Sequence, residues 1–110
     1  MSILTRLEEV ILIAIWKLDD NAYGVTINKQ VSELFKKKYS MGALYFSLDQ
    51  LVRKGYVSKS AGNPTPERGG RSKTYYRLTQ EGKVALHEVR KHQELLWEGI
   101  TDLFLNQKEI

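Results

Sequence analysis

The sequence contains no cysteine and only two histidines among its 110 residues. Without cysteine, disulfide bonds, thiolate metal sites and a cysteine nucleophile are excluded. His87 and His92 are five positions apart, so on a helix they would point about 140° away from each other and could not form a two-histidine metal face. A Walker-type loop and a Ser/His/Asp set are also absent. The sequence therefore predicts no enzyme, no metal site and no cofactor.

Long apolar runs are missing as well. No segment reaches the ~18 to 20 apolar residues that a membrane-spanning helix needs. Glu8 and Glu9 precede the short apolar run near the N-terminus, which opposes the charge pattern of a signal peptide. With 42% hydrophobic and 27% charged residues, the composition is that of one globular domain. We therefore expect a cytoplasmic protein without membrane contact, and its small size favours a partner subunit.

The net charge of +4 is unevenly distributed along the chain. Between Arg53 and Arg77, seven basic residues accompany the single acid Glu67, whereas acids outnumber bases from Leu78 onward. The seven are Arg53, Lys54, Lys59, Arg68, Arg71, Lys73 and Arg77. A localised basic segment is typical of a surface that binds a polyanion, although an ordinary solvated surface would also account for it.

Periodic apolar residues predict three helices in the first half of the chain. The apolar faces of the first two contain Leu4, Leu7, Ile11, Ile15 and Leu18, and then Ile27, Val31, Leu34 and Phe35. Ser40 is a favourable N-cap for the third helix, and Gly55 is favourable just beyond its end. The core face of this helix contains Leu44, Leu48 and Leu51. Phe46 is predicted on the opposite, outer side, where a large apolar side chain needs a covering partner.

Two strand-like segments, YVSKSA and KTYYRL, follow and are joined by a loop that contains both prolines of the chain. This pattern predicts a β-hairpin with a long loop. Gly69 and Gly70 would let the backbone approach phosphates closely, and Arg68, Arg71 and Lys73 would supply positive charge. A plain solvated hairpin tip would explain the glycines and prolines, but not the concentration of basic residues.

The C-terminal segment carries the clearest periodicity. Its apolar positions, with one amide among them, follow a 3-4-3-4-3 spacing and are Leu86, Val89, Gln93, Leu96, Ile100 and Leu103. This is the a/d repeat of a coiled-coil seam. Thr79 would cap a helix of about 26 residues, roughly 39 Å long, which would pack against a second copy in a homodimer. The alternative is a long helix that lies on the core of its own domain.

Three helices, a basic hairpin and a long helix form the element order of a winged helix-turn-helix protein. We therefore predict a mainly α fold with a β-hairpin wing. Residues 1–79 would form a winged helix-turn-helix domain that binds double-stranded DNA, and residues 80–110 a dimerisation helix. The third helix would enter the major groove, and the wing would reach the flanking backbone. A winged helix that binds a protein or RNA is the alternative, because the fold alone does not choose the ligand.

Three segments, AYGVTINKQV, SMGALYFSLDQLVRKGYV and RGGRSKTYYRLTQEGKVAL, resemble the successive signatures of PadR-type transcriptional regulators. The resemblance implies a homodimeric DNA-binding protein, usually a repressor, whose affinity for DNA often responds to a small molecule. It places Gly69, Gly70 and Arg71 in the wing, and Phe46 where the family commonly has proline. The residues of the third helix predicted to contact DNA are Ser40, Met41, Gly42, Ala43, Tyr45 and Phe46.

The same resemblance implies a site for a small aromatic effector. In some PadR-like dimers an aromatic residue of the terminal helix faces its symmetry mate across an apolar gap. Trp97, which follows the seam residue Leu96, is the candidate here, and Trp16 on the first helix would close the gap. Ordinary packing of Trp97 in the dimer seam is the alternative, because a tryptophan stabilises any interface that it joins.

Overall fold

A computed structural model describes residues 4–62 and 73–100 of the chain. The elements are α1 Arg6–Leu18, a 3₁₀ turn Asp19–Asn21, α2 Gly24–Phe35, α3 Met41–Arg53, β1 Val57–Ala61, β2 Thr74–Leu78 and α4 Gln80–Leu96. The predicted fold class, a mainly helical chain with a β-hairpin, is confirmed. Among the helices in these ranges, none combines the length and apolar character that crossing a membrane requires.

The core lies where α1, α2 and α3 meet beneath the hairpin. Its fully buried large side chains are Ile11, Leu12, Ile15, Ile27, Val31, Leu44, Leu48, Leu51 and Val57. The predicted core face of α3 is confirmed, because all three of its leucines are inaccessible to solvent. Burial of each such side chain contributes about 1.5 to 3 kcal/mol to folding. The same burial fixes which side of α3 faces outward.

Side-chain caps fix where three of the helices begin. Thr5 accepts a hydrogen bond from the Glu8 backbone at 3.1 Å, while the Glu8 carboxylate accepts one from the Thr5 backbone at 2.9 Å. Ser40 caps α3 by accepting from the Ala43 backbone at 3.2 Å, as predicted. Thr79 caps α4 by accepting from the Gly82 backbone at 3.0 Å. Local sequence therefore sets these helix starts.

The hairpin is antiparallel, and its register runs from the pair Val57–Leu78 to the pair Ala61–Thr74. Val57, Tyr76 and Leu78 face the core and are buried. A short segment before α2 extends the sheet, because the Tyr76 backbone donates to the Ala22 carbonyl oxygen at 2.8 Å. The hairpin is thereby tied to the turn between α1 and α2, and its position relative to α3 is fixed.

Helix α4 is shorter than the sequence predicted, with 17 residues instead of about 26. At the standard rise it is about 26 Å long. Trp97 is its C-cap and donates its backbone N–H to the Gln93 carbonyl oxygen at 3.0 Å. Gly99 then adopts a positive φ of 83°, which favours glycine. The helix therefore ends before Ile100, and Leu103 lies outside the described residues.

An ion pair joins the start of α1 to the end of α3. The ammonium group of Lys54 donates to the carboxylate of Glu8, whose side chain is only 10% exposed. Burial alone would raise the pKa of Glu8, but hydrogen bonds from Lys54 and from the Thr5 backbone outweigh it, and the pKa lies below its usual value of 4.5. The pair adds to the apolar packing between the two helices.

Acid should weaken this connection. Because the pKa of Glu8 is lower in the folded state, the pair stabilises the fold above the unfolded pKa, and this contribution is lost as the pH falls through the folded pKa. We expect Glu8→Gln to lower the free energy of unfolding at pH 7 by about 1 to 2 kcal/mol and to reduce the loss of stability below pH 4.5.

Urea unfolding between pH 7 and pH 3 measures this effect. Glu94→Gln is the matched control, since Glu94 forms an exposed pair with Arg90 on α4. Parallel loss of stability on acidification in wild type and Glu8→Gln would contradict the prediction.

Candidate nucleic-acid interface

The structure brings the six residues predicted on α3 together at its N-terminal end. Ser40 caps the helix, and the side chains that follow it on the solvent side are exposed. Phe46 is 67% exposed, the largest exposure among the large hydrophobic residues of ranges 4–62 and 73–100. Leu44, Leu48 and Leu51 hold the opposite face in the core. The outer side of α3 is therefore a firmly supported surface open to a partner.

Tyr45 lies to one side of this surface. Its ring packs against Gly24 at the start of α2, where an added Cβ would overlap the Tyr45 hydroxyl group. The contact accounts for the glycine of the AYG sequence, because an added Cβ would force the end of the Tyr45 side chain to move. Tyr45 is still 43% exposed, so it supports the junction of α2 and α3 and also borders the outer face.

The base of the wing lies beside the start of α2. The ammonium group of Lys73 is 4.1 Å from the centroid of the Tyr23 ring, a cation–π contact. The Tyr23 ring in turn meets the Tyr75 ring edge-on at 5.6 Å. Lys73 is therefore held at the base of the hairpin. The other predicted wing residues, Arg68, Gly69, Gly70 and Arg71, lie outside the described residues.

The described residues of the basic segment predicted from the sequence do not form one continuous surface. Lys54 pairs with Glu8 at the start of α1. Arg77 lines a small cavity together with Trp16 and Asp19, on the side of the hairpin that faces the end of α1. Strand alternation places Arg77 on the opposite face of the hairpin from Lys59, whose cross-strand partner is Tyr76. Arg53, Lys59 and Lys73 remain available at the end of α3 and along the hairpin.

The first half of the predicted seam on α4 packs against its own domain. Leu86 and Val89 are partly buried on the core. The side-chain amide of Gln93 donates to the carboxylate of Glu9 on α1, at 3.3 and 3.4 Å from its two oxygens. This half of the seam agrees with the alternative prediction, a helix that lies on the core of its own domain. Leu96, however, is 62% exposed.

A groove of about 720 Å³ runs between the N-terminal part of the chain and α4. Apolar lining comes mainly from Leu4, Val84, Val89 and Leu96, and Tyr56 contributes at one end. Val84 is 49% exposed although it lies within α4, one turn after its start. Sequence reasoning missed Leu4 and Val84 here, because neither belongs to the seam and only the packing of α4 beside α1 brings them together.

The two tryptophans proposed for an effector lie apart within one protomer. Trp16 is 62% exposed and stands beneath the ammonium group of Lys83, 5.5 Å from its ring centroid, near the start of α4. Trp97 caps the other end of α4 and is 55% exposed. Neither lines the groove between α1 and α4. Within one protomer the described residues do not bring Trp16 and Trp97 to one site, and the aromatic effector stays a prediction.

Comparison with known proteins decides the family. The model of the transcriptional regulator PadR-like family matches residues 11–88, which run from α1 into α4. The chain belongs to the PadR-like family. None of the curated proteins matches it significantly in sequence. The matched range contains α3 and the whole hairpin, so family membership covers the surface described above.

Solved structures agree with this assignment. RosR of H. salinarum has a TM-score of 0.69 and 28% identity, covering 96% of this chain and 86% of RosR. A PadR family transcription regulator from Clostridium difficile R20291 has a TM-score of 0.67 and 27% identity, covering 93% of this chain and all of its own. A transcriptional regulator from Clostridium thermocellum has a TM-score of 0.66 and 26% identity, covering 86% and 85%.

This PadR-like regulator is therefore a winged-helix, DNA-binding protein of a transcription regulator family. α3 is the second helix of its helix-turn-helix, and β1 with β2 forms the base of its wing. The sequence located both elements, because their caps and apolar periods are local. It did not reveal how Tyr23, Gly24 and Tyr45 bring α2, α3 and the wing base together.

Proposed function

We propose that this PadR-like regulator acts as a homodimeric repressor that recognises a pseudo-palindromic site in double-stranded DNA. The observation that carries the proposal is the outer face of α3, whose N-terminal two turns are exposed while the opposite face is anchored in the core. In helix-turn-helix proteins the N-terminal residues of this helix contact base edges in the major groove. Those contacts would come from Ser40, Met41, Gly42, Ala43, Tyr45 and Phe46, since Leu44 is buried in the core.

The hairpin would bind the backbone that flanks the major groove. Lys73 lies over the Tyr23 ring at the start of α2, and Lys59 is exposed on β1. Such cations neutralise phosphates and release counterions, which supplies affinity without sequence selection. Arg68 and Arg71, which the sequence predicts in the wing, would extend the same contact with the phosphates.

Dimerisation is supported by the apolar surface along α4. Val84 and Leu96 are largely exposed in a single protomer and line the groove beside α1. Exposed apolar side chains clustered around a groove are typical of a surface that a partner covers. In a two-fold dimer each copy would offer the same surface to the other, and paired α3 helices would meet half-sites about 34 to 36 Å apart, or a multiple of that distance.

Selection from random-sequence duplex DNA tests the proposal. We expect enrichment of a two-fold symmetric site, which a duplex RNA of the same sequence does not displace, because the deep and narrow major groove of RNA excludes a helix. Transcription in vitro from a promoter that carries the enriched site should decrease when the protein is added. Failure to enrich any sequence, or equal competition by RNA, would favour the protein-binding or RNA-binding alternative.

The wing contact can be tested through salt dependence. Lys73→Ala is expected to weaken binding to all DNA sequences and to lower the slope of log affinity against log salt by about 1.8 for the dimer, since each protomer loses one phosphate contact. The same result is expected for Arg71→Ala. Arg90→Ala on the exposed side of α4 is the control and should leave the slope unchanged. A changed sequence preference with an unchanged slope would show that Lys73 does not bind phosphate.

A further inference from the structure

The outer face of α3 has unusual chemistry for a surface that recognises bases. Its first two turns, Met41 to Leu48, contain no arginine, lysine, asparagine, glutamine, aspartate or glutamate. The side chains that read guanine, adenine and cytosine by bidentate or charged hydrogen bonds come from these residue types, and Ser47 is the only serine or threonine on these two turns. The Ser40 hydroxyl already accepts the capping hydrogen bond, and Tyr45 packs on Gly24. Hydrogen-bonded base recognition therefore has few donors and acceptors in this part of the helix.

Phe46 occupies the centre of that face. On a helix with 100° per residue, the Phe46 side chain lies within about 15° of the direction opposite to the mean direction of the three core leucines. Gly42, one turn before it, is exposed and has only the Ser40 hydroxyl within 4 Å of its missing Cβ. Ala43 is also exposed, and its side chain is only a methyl group. These small residues would allow the start of α3 to approach the floor of the groove, with Phe46 as the large side chain that projects from it.

Thymine is the base that offers an apolar group, its C5-methyl, in the major groove. A phenyl ring that is 67% exposed in the free protein gains most by covering such a group. We propose that Phe46 recognises a thymine in each half-site through its C5-methyl group. This inference rests on the proposed function, because it names how the same surface selects its DNA.

The experiment uses the duplex that the wild-type protein enriches from random-sequence DNA. Each thymine of the half-site is replaced in turn by uracil, which keeps every hydrogen-bonding group and lacks only the methyl. Covering one methyl group corresponds to about fourfold in affinity. We expect one position per half-site at which uracil weakens binding about fourfold, and about 15-fold when both half-sites carry it.

Phe46→Ala supplies the decisive comparison. This variant is expected to bind the thymine and uracil duplexes equally, within about twofold, because the group that contacts the methyl is gone. Phe46→Leu should retain part of the discrimination. Leu34→Ala is the matched control, since Leu34 is an exposed apolar residue near the end of α2, and it should keep the full uracil effect. Thermal unfolding followed by circular dichroism confirms that each variant is folded.

Four results would overturn the inference. An enriched duplex that shows no uracil effect at any position would leave the proposed function intact and remove the role of Phe46 in thymine recognition. An equal uracil effect in wild type and Phe46→Ala would assign the methyl contact to another residue. A large loss of affinity in Phe46→Ala that leaves a uracil effect unchanged would indicate a ring wedged between base pairs instead. Failure to enrich any duplex would instead reject the proposed function and the inference together.

Discussion

Leu96→Lys is expected to convert the proposed dimer into monomers and to lower its affinity for a two-fold symmetric DNA site by about 10²- to 10⁴-fold. Leu96 lines the groove between α1 and α4 and is 62% exposed in one protomer. If the groove is the dimer interface, two lysines per dimer would place unpaired charges in an apolar contact. Each protomer would then bind one half-site alone, and the gain from linking two contacts would be lost.

Leu95→Lys is the matched control for this experiment. Leu95 is also 62% exposed, and it precedes Leu96 directly, but it does not line the groove. Successive residues of a helix point about 100° apart, so the same change is placed on a different side of α4. Sedimentation velocity over a range of concentrations measures the dimer, and fluorescence anisotropy measures DNA binding.

The pattern of results locates the interface. If only Leu96→Lys abolishes the dimer, the result supports the groove as the dimer interface. If only Leu95→Lys abolishes the dimer, the interface would be assigned to another face of α4. If both variants remain dimeric, the interface would lie away from this part of the helix. Ile100→Lys, just beyond the helix, is expected to act in the same direction as Leu96→Lys, because Ile100 was predicted in the same seam and is 46% exposed.

Gly82→Ala is expected to destabilise the fold by about 3 kcal/mol. Gly82 is buried in the first turn of α4, and an added Cβ would overlap the backbone carbonyl of Tyr56. Backbone is less able to yield than the end of a side chain, so α4 would have to shift. The contact also carries hydrogen bonds, since the Thr79 backbone donates to the Tyr56 carbonyl at 3.1 Å and the Thr79 hydroxyl to the Gly55 carbonyl at 2.6 Å.

Differential scanning calorimetry of Gly82→Ala and Gly42→Ala measures this effect. A loss of 3 kcal/mol corresponds to about 10 to 20 °C in Tm for a domain of this size. Gly42 is a helical glycine with free space around its missing Cβ, so Gly42→Ala should be neutral or stabilising by up to about 1 kcal/mol. Equal Tm values for Gly82→Ala and wild type would show that the start of α4 is not held tightly against Tyr56.

Gly82 also shows why one local pattern could not be interpreted from the sequence. A capping box would place glutamate or glutamine at this position, three residues after the cap Thr79. The sequence has glycine at this position, so the capping box is incomplete. The structure supplies the reason, because α4 crosses the turn between α3 and β1 so closely that no side chain fits.

The sequence by itself determined the helices and hairpin of the described part, the core face of α3 and the caps Ser40 and Thr79. These features depend on neighbours within a few residues, so apolar period and capping chemistry specify them. It also indicated the outer position of Phe46, because residues on a helix have fixed relative directions.

Only the tertiary structure decided which predicted groups share a surface. It separated Lys54 and Arg77 from the basic segment, placed Gln93 against Glu9 and ended α4 before Ile100. It also packed Tyr45 against Gly24, and it placed Leu4 and Val84 in the lining of one groove although they are far apart in the chain. Such contacts depend on how elements pack in three dimensions, where a small shift changes which atoms meet, and no local pattern of residues encodes them.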